Sequence, residues 1–153
     1  MAESWLRRTD IDILGKELIF VPITKGMIGP GGGGMHWILV VINILKKKVQ
    51  IHDSMRSHHF KEGKLLIEYM IEKGKMKPNS DADGEWNIEH SLDSPTQING
   101  YDCGVYVCTT AAFLAERKIL NYTPEYATEQ RDFILASFFA NRVLLPGLPV
   151  LRR

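Results

Sequence analysis

Composition leaves most special environments without support in this chain. Only two cysteines are present, Cys103 and Cys108, five positions apart. That is no disulfide framework for a secreted domain, so a reducing compartment, nucleus or cytoplasm, is expected. Net charge is only +1, which leaves no broad field for nucleic acid or an anionic membrane surface. Long hydrophobic runs are missing too. The apolar stretch 38–42 falls far short of the roughly 20 residues a spanning helix needs, and the opening residues carry no signal-peptide pattern. His58 and His59 have no cysteine or carboxylate at zinc-ligand spacing and read as solvated loop residues, so neither a metal nor another cofactor is expected. What is there is ordinary: 44% hydrophobic and 24% charged residues over 153 positions. This predicts one monomeric globular domain spanning 1–153, large enough to bury roughly 68–70% of its unfolded surface. The C-terminus reads as complete, whereas the segment before the first strand, including Trp5, reads as too short to pack a helix.

Periodicity organises the rest. Residues 18–22 form an apolar strand ended by Pro22, followed by a loop over 25–35 that contains a glycine run at 29–34. No Gly-Lys-Ser/Thr follows that run and a strand comes next, so a flexible loop is the better reading than a phosphate cradle. Residues 37–44 are apolar on both faces, as in a central strand. After the turn at Lys46, Lys47 and Lys48 the next strand alternates. Val49, Ile51 and Asp53 share the side expected to face the interior, where a carboxylate needs a partner, and His52 is expected to point away from it. A surface helix is predicted over 60–73, a loop at 78–84 and a short strand over 85–90. Residues 103–118 read as a buried helix, apolar almost all round, with Val105, Cys108, Ala112, Ala115 and Ile119 on its main stripe. Thr123-Pro124 predicts an N-cap and first helical position for a last helix reaching about Asn141. Ala127, Ile134 and Phe138 face inward on that helix, and Pro146 and Pro149 close it.

Against this frame the stretch from Gln97 to Cys108 carries chemistry. Cys103 stands where a polar turn meets an apolar helix, close to unpaired backbone N–H groups and the positive end of the helix dipole. A dipole of this kind favours an anion by about 0.3–1 kcal/mol at an exposed end. That is too little to activate a thiol, because one pKa unit is about 1.4 kcal/mol. An imidazolium neighbour is far more effective. His36, at the start of one strand, is the candidate, and Asp53, at the end of the next, would fix its tautomer. The hairpin places the two level or offset by up to three residues. Asp102 should oppose a thiolate beside it, and is expected to spend its charge as the helix N-cap. Gly104 leaves room for a carbonyl to approach the sulfur. Gln97 offers an amide N–H which, with the Cys103 N–H, could form an oxyanion hole, brought near by the turn at Asn99-Gly100. Taken singly, a helix-start cysteine is most often a small core residue, and the other three are a strand-end histidine, a cap and a surface amide. Their conjunction points to a thiol hydrolase. Cys108 reads as core, and His90 has no assigned role.

The same residues carry a family likeness. His36-Trp37 entering an apolar strand, Asp53-Ser54 closing the next, and Gln97-x-Asn99-Gly100-x-Asp102-Cys103-Gly104 resemble the ubiquitin-like-protein-specific cysteine proteases, the sentrin-specific group. The separations of 17 residues from His36 to Asp53 and six from Gln97 to Cys103 are similar to that family's. The likeness extends to residues 20–23, to Gly84-x-Trp86 and to Asn121-Tyr-Thr123. It implies an α+β, papain-like fold with a mixed sheet packed against the cysteine-bearing helix, lacking the family's N-terminal helices. Cys103 is then implied as nucleophile, His36 as base and acid, Asp53 as its orienter and Gln97 as oxyanion donor. Trp37 would line a channel for the modifier's Gly-Gly tail. The implied reaction is cleavage after that tail in SUMO or a related ubiquitin-like modifier, so the implied partners are the modifier and its conjugates. Alternatives are a protease for NEDD8 or another ubiquitin-like protein, a viral-type polyprotein protease, an impaired remnant or modifier-binding module, and an acyltransferase.

Overall fold

The structure is a computed structural model and describes residues 12–26, 35–57, 60–76 and 84–141. The glycine run at 29–34, Trp5, His58, His59, nearly all of the 78–84 loop, Pro146, Pro149 and both chain ends lie outside the described residues. A short 3-10 turn, Ile13–Gly15, leads into strand β1 (Leu18–Lys25). Strands β2 (His36–Asn43) and β3 (Lys48–His52) follow, then helix α1 (Phe60–Met76) and strand β4 (Asn87–His90). Helices α2 (Cys103–Ala115) and α3 (Pro124–Ala140) complete the order.

The four strands form one mixed sheet in the order β1-β2-β3-β4, antiparallel except for the β3–β4 pair. The parallel pair requires a crossover, and α1 supplies it. Pro22 does not end β1. It sits mid-strand opposite Leu39, tolerated because β1 is the edge of the sheet and its missing N–H leaves no neighbour unserved.

Helix α1 covers one face of the sheet, where Ile38, Val40, Ile42, Val49, Ile51 and Met70 are buried together. Fully burying such side chains is worth roughly 1.5–3 kcal/mol each. The approach is close at Gly63, where a methyl group would collide with the Ile88 side chain. Helix α2 packs on the other face against β2, and a second core of Val105, Tyr106, Phe113, Tyr122 and Ala127 joins α2 to α3. Its aromatic rings meet in tilted pairs, Phe113 and Tyr122 with centroids 5.1 Å apart.

Two helical faces differ from expectation. On α2 the buried line is Cys103, Tyr106, Thr110 and Phe113, with Val105 and Thr109 beside it, while Cys108 and Ala115 are exposed, as is Ile119 beyond the helix end. The polar members can be buried because they find partners: the Thr110 and Tyr122 hydroxyls lie 2.7 Å apart, and the Tyr106 hydroxyl donates to the Thr96 carbonyl at 3.0 Å. On α3, Ala127 is buried and Ile134 packs against the second core, but Phe138 is exposed and Gln130 takes a buried place. Thr123 does cap α3, its hydroxyl accepting from the Tyr126 N–H at 3.3 Å.

Candidate active site

The β2–β3 hairpin sets the first two site residues. Leu39 pairs with His52, so one step outward puts Ile38 level with Asp53, and Asp53 lies two residues from the level of His36. An offset of two keeps both side chains on the same face. The result is a hydrogen bond of 2.7 Å between His36 Nε2 and Asp53 Oδ1. A carboxylate can only accept, so Nε2 carries the proton and Nδ1 is the basic nitrogen of the neutral ring. Asp53 is 3% exposed, and its charge is shared with backbone donors. The Met55 N–H reaches Oδ1 and the Ser57 N–H reaches Oδ2, each at 2.8 Å. A buried charge needs such company.

Cys103 opens α2, buried at 6% exposure. Its Sγ lies 4.0 Å from the carbonyl oxygen of Met35, the residue immediately before His36. The thiol therefore abuts the same strand end that carries the imidazole. As the first helical residue, Cys103 has an N–H with no acceptor inside the helix. Trp37 sits beside Gly104, with 3.8 Å between its Cδ1 and the place a Cβ would occupy. A side chain at position 104 would narrow the gap between the indole and the thiol-bearing turn.

Gln97 is fixed at both ends of its amide. Ser54 Oγ donates to Oε1 at 2.6 Å, and Nε2 donates to the Asn99 carbonyl at 2.5 Å. Gly100 has open space around it and no left-handed φ. The turn is made instead by the Asn99 side chain, whose Oδ1 accepts from the Tyr101 and Asp102 N–H groups at 3.1 and 3.0 Å. Tyr106, reaching from α2 to the Thr96 carbonyl, pins this loop to the helix.

Asp102 does not cap α2 with its side chain. Its carboxylate turns toward α3, where Oδ1 meets the Arg131 guanidinium and Oδ2 accepts from Asn99 Nδ2 at 2.6 Å and Thr128 Oγ1 at 3.3 Å. Desolvation alone would raise this carboxyl, but the hydrogen bonds from Asn99, Arg131 and Thr128 and the Arg131 charge outweigh it and hold it below the usual carboxylate range. The charge next to the thiol is thus neutralised by a cation. Sequence reasoning missed Arg131, although a carboxylate ahead of a buried helix was itself a signal that a partner existed.

His52 also differs from expectation. It does lie on the face opposite Asp53, but that face is covered by α2 and His52 is buried. Its Nδ1 is 2.8 Å from Ser94 Oγ. Burial pushes its pKa from 6.5 down to about 4, against the opposing pull of Asp93 and Glu89. Between these values the unfolded chain holds a proton the folded chain refuses, so stability falls as pH drops from 6.5 toward 4. The expected loss by pH 5 is about 2 kcal/mol relative to neutral pH. Urea unfolding at pH 7 and pH 5 measures it, and His52→Gln should flatten the dependence. A slope unchanged in the variant would assign the acid loss elsewhere.

Among the described residues no cluster of three histidines, cysteines or carboxylates could hold a metal ion, and no helix is long and apolar enough to cross a membrane.

A mixed sheet flanked by helices, with a cysteine at a helix start and a histidine–aspartate pair on adjoining strands, defines the papain-like α+β class of cysteine peptidase folds. Comparison with known proteins narrows it. The profile of the Ulp1 protease family, C-terminal catalytic domain, matches residues 2–134, and the chain belongs to this family. Sentrin-specific protease 2 of Homo sapiens is 32% identical over 117 residues, covering 74% of this chain and 18% of that protein. Ubiquitin-like-specific protease 1 of Saccharomyces cerevisiae is 33% identical over 136 residues, 85% of this chain and 20% of that protein. This chain thus spans about a fifth of the length of these relatives. Among solved structures it is similar to the SUMO protease Ulp1 with its catalytic cysteine oxidised to a sulfonic acid, with a TM-score of 0.71 and 28% identity over 90% of this chain and 59% of that one. The Ulp1 protease domain in complex with Smt3, the yeast ortholog of SUMO, gives a TM-score of 0.68 and 25% identity over 92% and 60%. The α+β, papain-like arrangement expected from the sequence is the fold found.

Proposed function

We propose that residues 1–153 form a thiol isopeptidase domain that cleaves after the C-terminal Gly-Gly of SUMO or a closely related modifier. The observation that carries this reading is the 2.7 Å His36–Asp53 pair at the strand end against which Cys103 is packed. Membership of the Ulp1 protease family and likeness to a protease domain solved with Smt3 supply the substrate class. In this reading His36 Nδ1 takes the Cys103 proton, and the thiolate attacks the carbonyl carbon of the terminal glycine. The oxyanion is held by the second N–H of the Gln97 amide and the Cys103 N–H. Collapse breaks the C–N bond as the imidazolium protonates the leaving lysine amine. Water, deprotonated by His36, then resolves the thioester to a glycine carboxylate and frees the thiol. Trp37 and Gly104 bound the narrow approach, which suits a tail of two residues without side chains. Free thiols at the nucleophile and at exposed Cys108 fit a reducing intracellular location.

The test is covalent capture. SUMO, NEDD8 and ubiquitin bearing a C-terminal vinyl methyl ester are each incubated with the chain, and the adduct is mapped by peptide mass spectrometry. The expected result is a SUMO adduct on Cys103 alone. Binding without an adduct would leave a modifier-binding module, and capture of NEDD8 or ubiquitin in preference to SUMO would move the specificity.

A further inference from the structure

Gln97 can serve an oxyanion only if its amide points the right way, and a glutamine carries several rotatable bonds that water would leave free. The orientation is readable here from hydrogen-bond logic. The Asn99 carbonyl can only accept, so the nitrogen end of the amide faces it, at 2.5 Å. The oxygen end therefore faces Ser54, and the Ser54 hydroxyl must be the donor, at 2.6 Å. The same two residues are joined again through their backbones, the Gln97 N–H donating to the Ser54 carbonyl at 3.0 Å. One N–H of the amide remains for a ligand. Ser54 is buried and follows Asp53 directly. It thus links the loop that steadies the imidazole to the loop that carries the amide.

We propose that Ser54 is a positioning residue that locks the Gln97 amide for its role in the oxyanion hole. The proposal rests on the protease reading above and adds a residue to its machinery. Without the hydroxyl the amide oxygen loses the donor that fixes it among the described residues, and the amide can rotate about its last bond. The preorganisation that makes an oxyanion hole effective is then lost in part. The cost should fall on the tetrahedral intermediate and spare both ground-state binding and the thiol.

The experiment compares the full chain with Ser54→Ala, Ser54→Thr, Gln97→Ala and the Ser54→Ala/Gln97→Ala double variant, using hydrolysis of a fluorogenic C-terminal amide of SUMO. Ser54→Ala should lower kcat by about tenfold or more, short of the about 10²–10³ typical of deleting an oxyanion donor, with KM nearly unchanged. Ser54→Thr, which keeps the hydroxyl, should recover most of the rate. In the Gln97→Ala background Ser54→Ala should cost little further, since both act through one amide. Iodoacetamide alkylation of Cys103 passes through no oxyanion, so its pH profile in Ser54→Ala should match the wild type. Additive losses in the double variant, or alkylation falling in step with hydrolysis, would overturn the role. A wild-type chain inactive on the amide and on glycylglycine p-nitrophenyl ester would instead remove the protease reading, and the role with it.

Discussion

Asp53→Asn is expected to lower kcat/KM for a SUMO C-terminal amide by about 10⁴-fold, the scale seen when an equivalent carboxylate is amidated in another hydrolase triad. Among the described residues the carboxylate accepts from His36 Nε2 at 2.7 Å, and from the Met55 and Ser57 N–H groups at 2.8 Å each. Asparagine offers one acceptor oxygen in their place. If that oxygen stays with His36 and Met55, its NH2 group meets the Ser57 N–H, donor against donor. If it turns to Ser57, the NH2 faces His36 and drives the ring proton onto Nδ1, the nitrogen that accepts from the thiol in the proposed mechanism. Either way the imidazolium loses the anion that stabilises it. The folding cost is much smaller, about 1–3 kcal/mol for one unsatisfied buried N–H. Circular dichroism melts run beside the kinetics separate the two effects. A variant folded at the assay temperature and within tenfold of wild-type activity would show that Asp53 serves only to hold its loop.

The gap between 17 residues of spacing and a 2.7 Å contact marks what the sequence could carry. Strict alternation placed Asp53 with Val49 and Ile51, and the need to pair a buried charge pointed it at His36. The offset of two followed only from the turn at 44–47, whose register alternation does not fix. Helix α2 was readable as an element but not as a face. Apolarity favoured Cys108, whereas Thr110 and Tyr106 are buried through bonds to Tyr122 and Thr96 at separations of 12 and 10 residues. Phe138 was assigned inward because it is apolar, but α3 leaves it exposed. Gln97 is a candidate by its place ahead of Cys103, but its support is not legible, because Ser54 stands 43 positions away. Hydrophobic period is a local property, whereas polar satisfaction is decided by the tertiary fold.

That distinction is sharpest at Asp102, where the predicted cap gave way to a cation 29 residues downstream. Arg131→Met should therefore destabilise the domain by about 3 kcal/mol, the low end for breaking a buried ion pair. The low end applies because the Arg131 side chain is 49% exposed while that of Asp102 is 2% exposed. Methionine keeps much of the aliphatic stem, which isolates the loss of charge. Asn99 and Thr128 would still serve Oδ2, but Oδ1 would be left buried beside Cys103 without a cation. The pH dependence identifies the mechanism. In the wild type the folded carboxyl sits below its unfolded value of about 3.9, so its stabilisation is complete above that value and is lost as pH falls through the folded pKa. In the variant, desolvation is no longer offset by the guanidinium, and protonation relieves the stranded charge. The stability gap between the two proteins should then be widest near pH 7 and shrink toward pH 4. Chemical denaturation across that range reads it directly. A gap that stays constant with pH would mean that Arg131 acts by packing over the Tyr101 ring, 5.7 Å from its centroid, and that the charge beside the thiol is held by neutral donors alone.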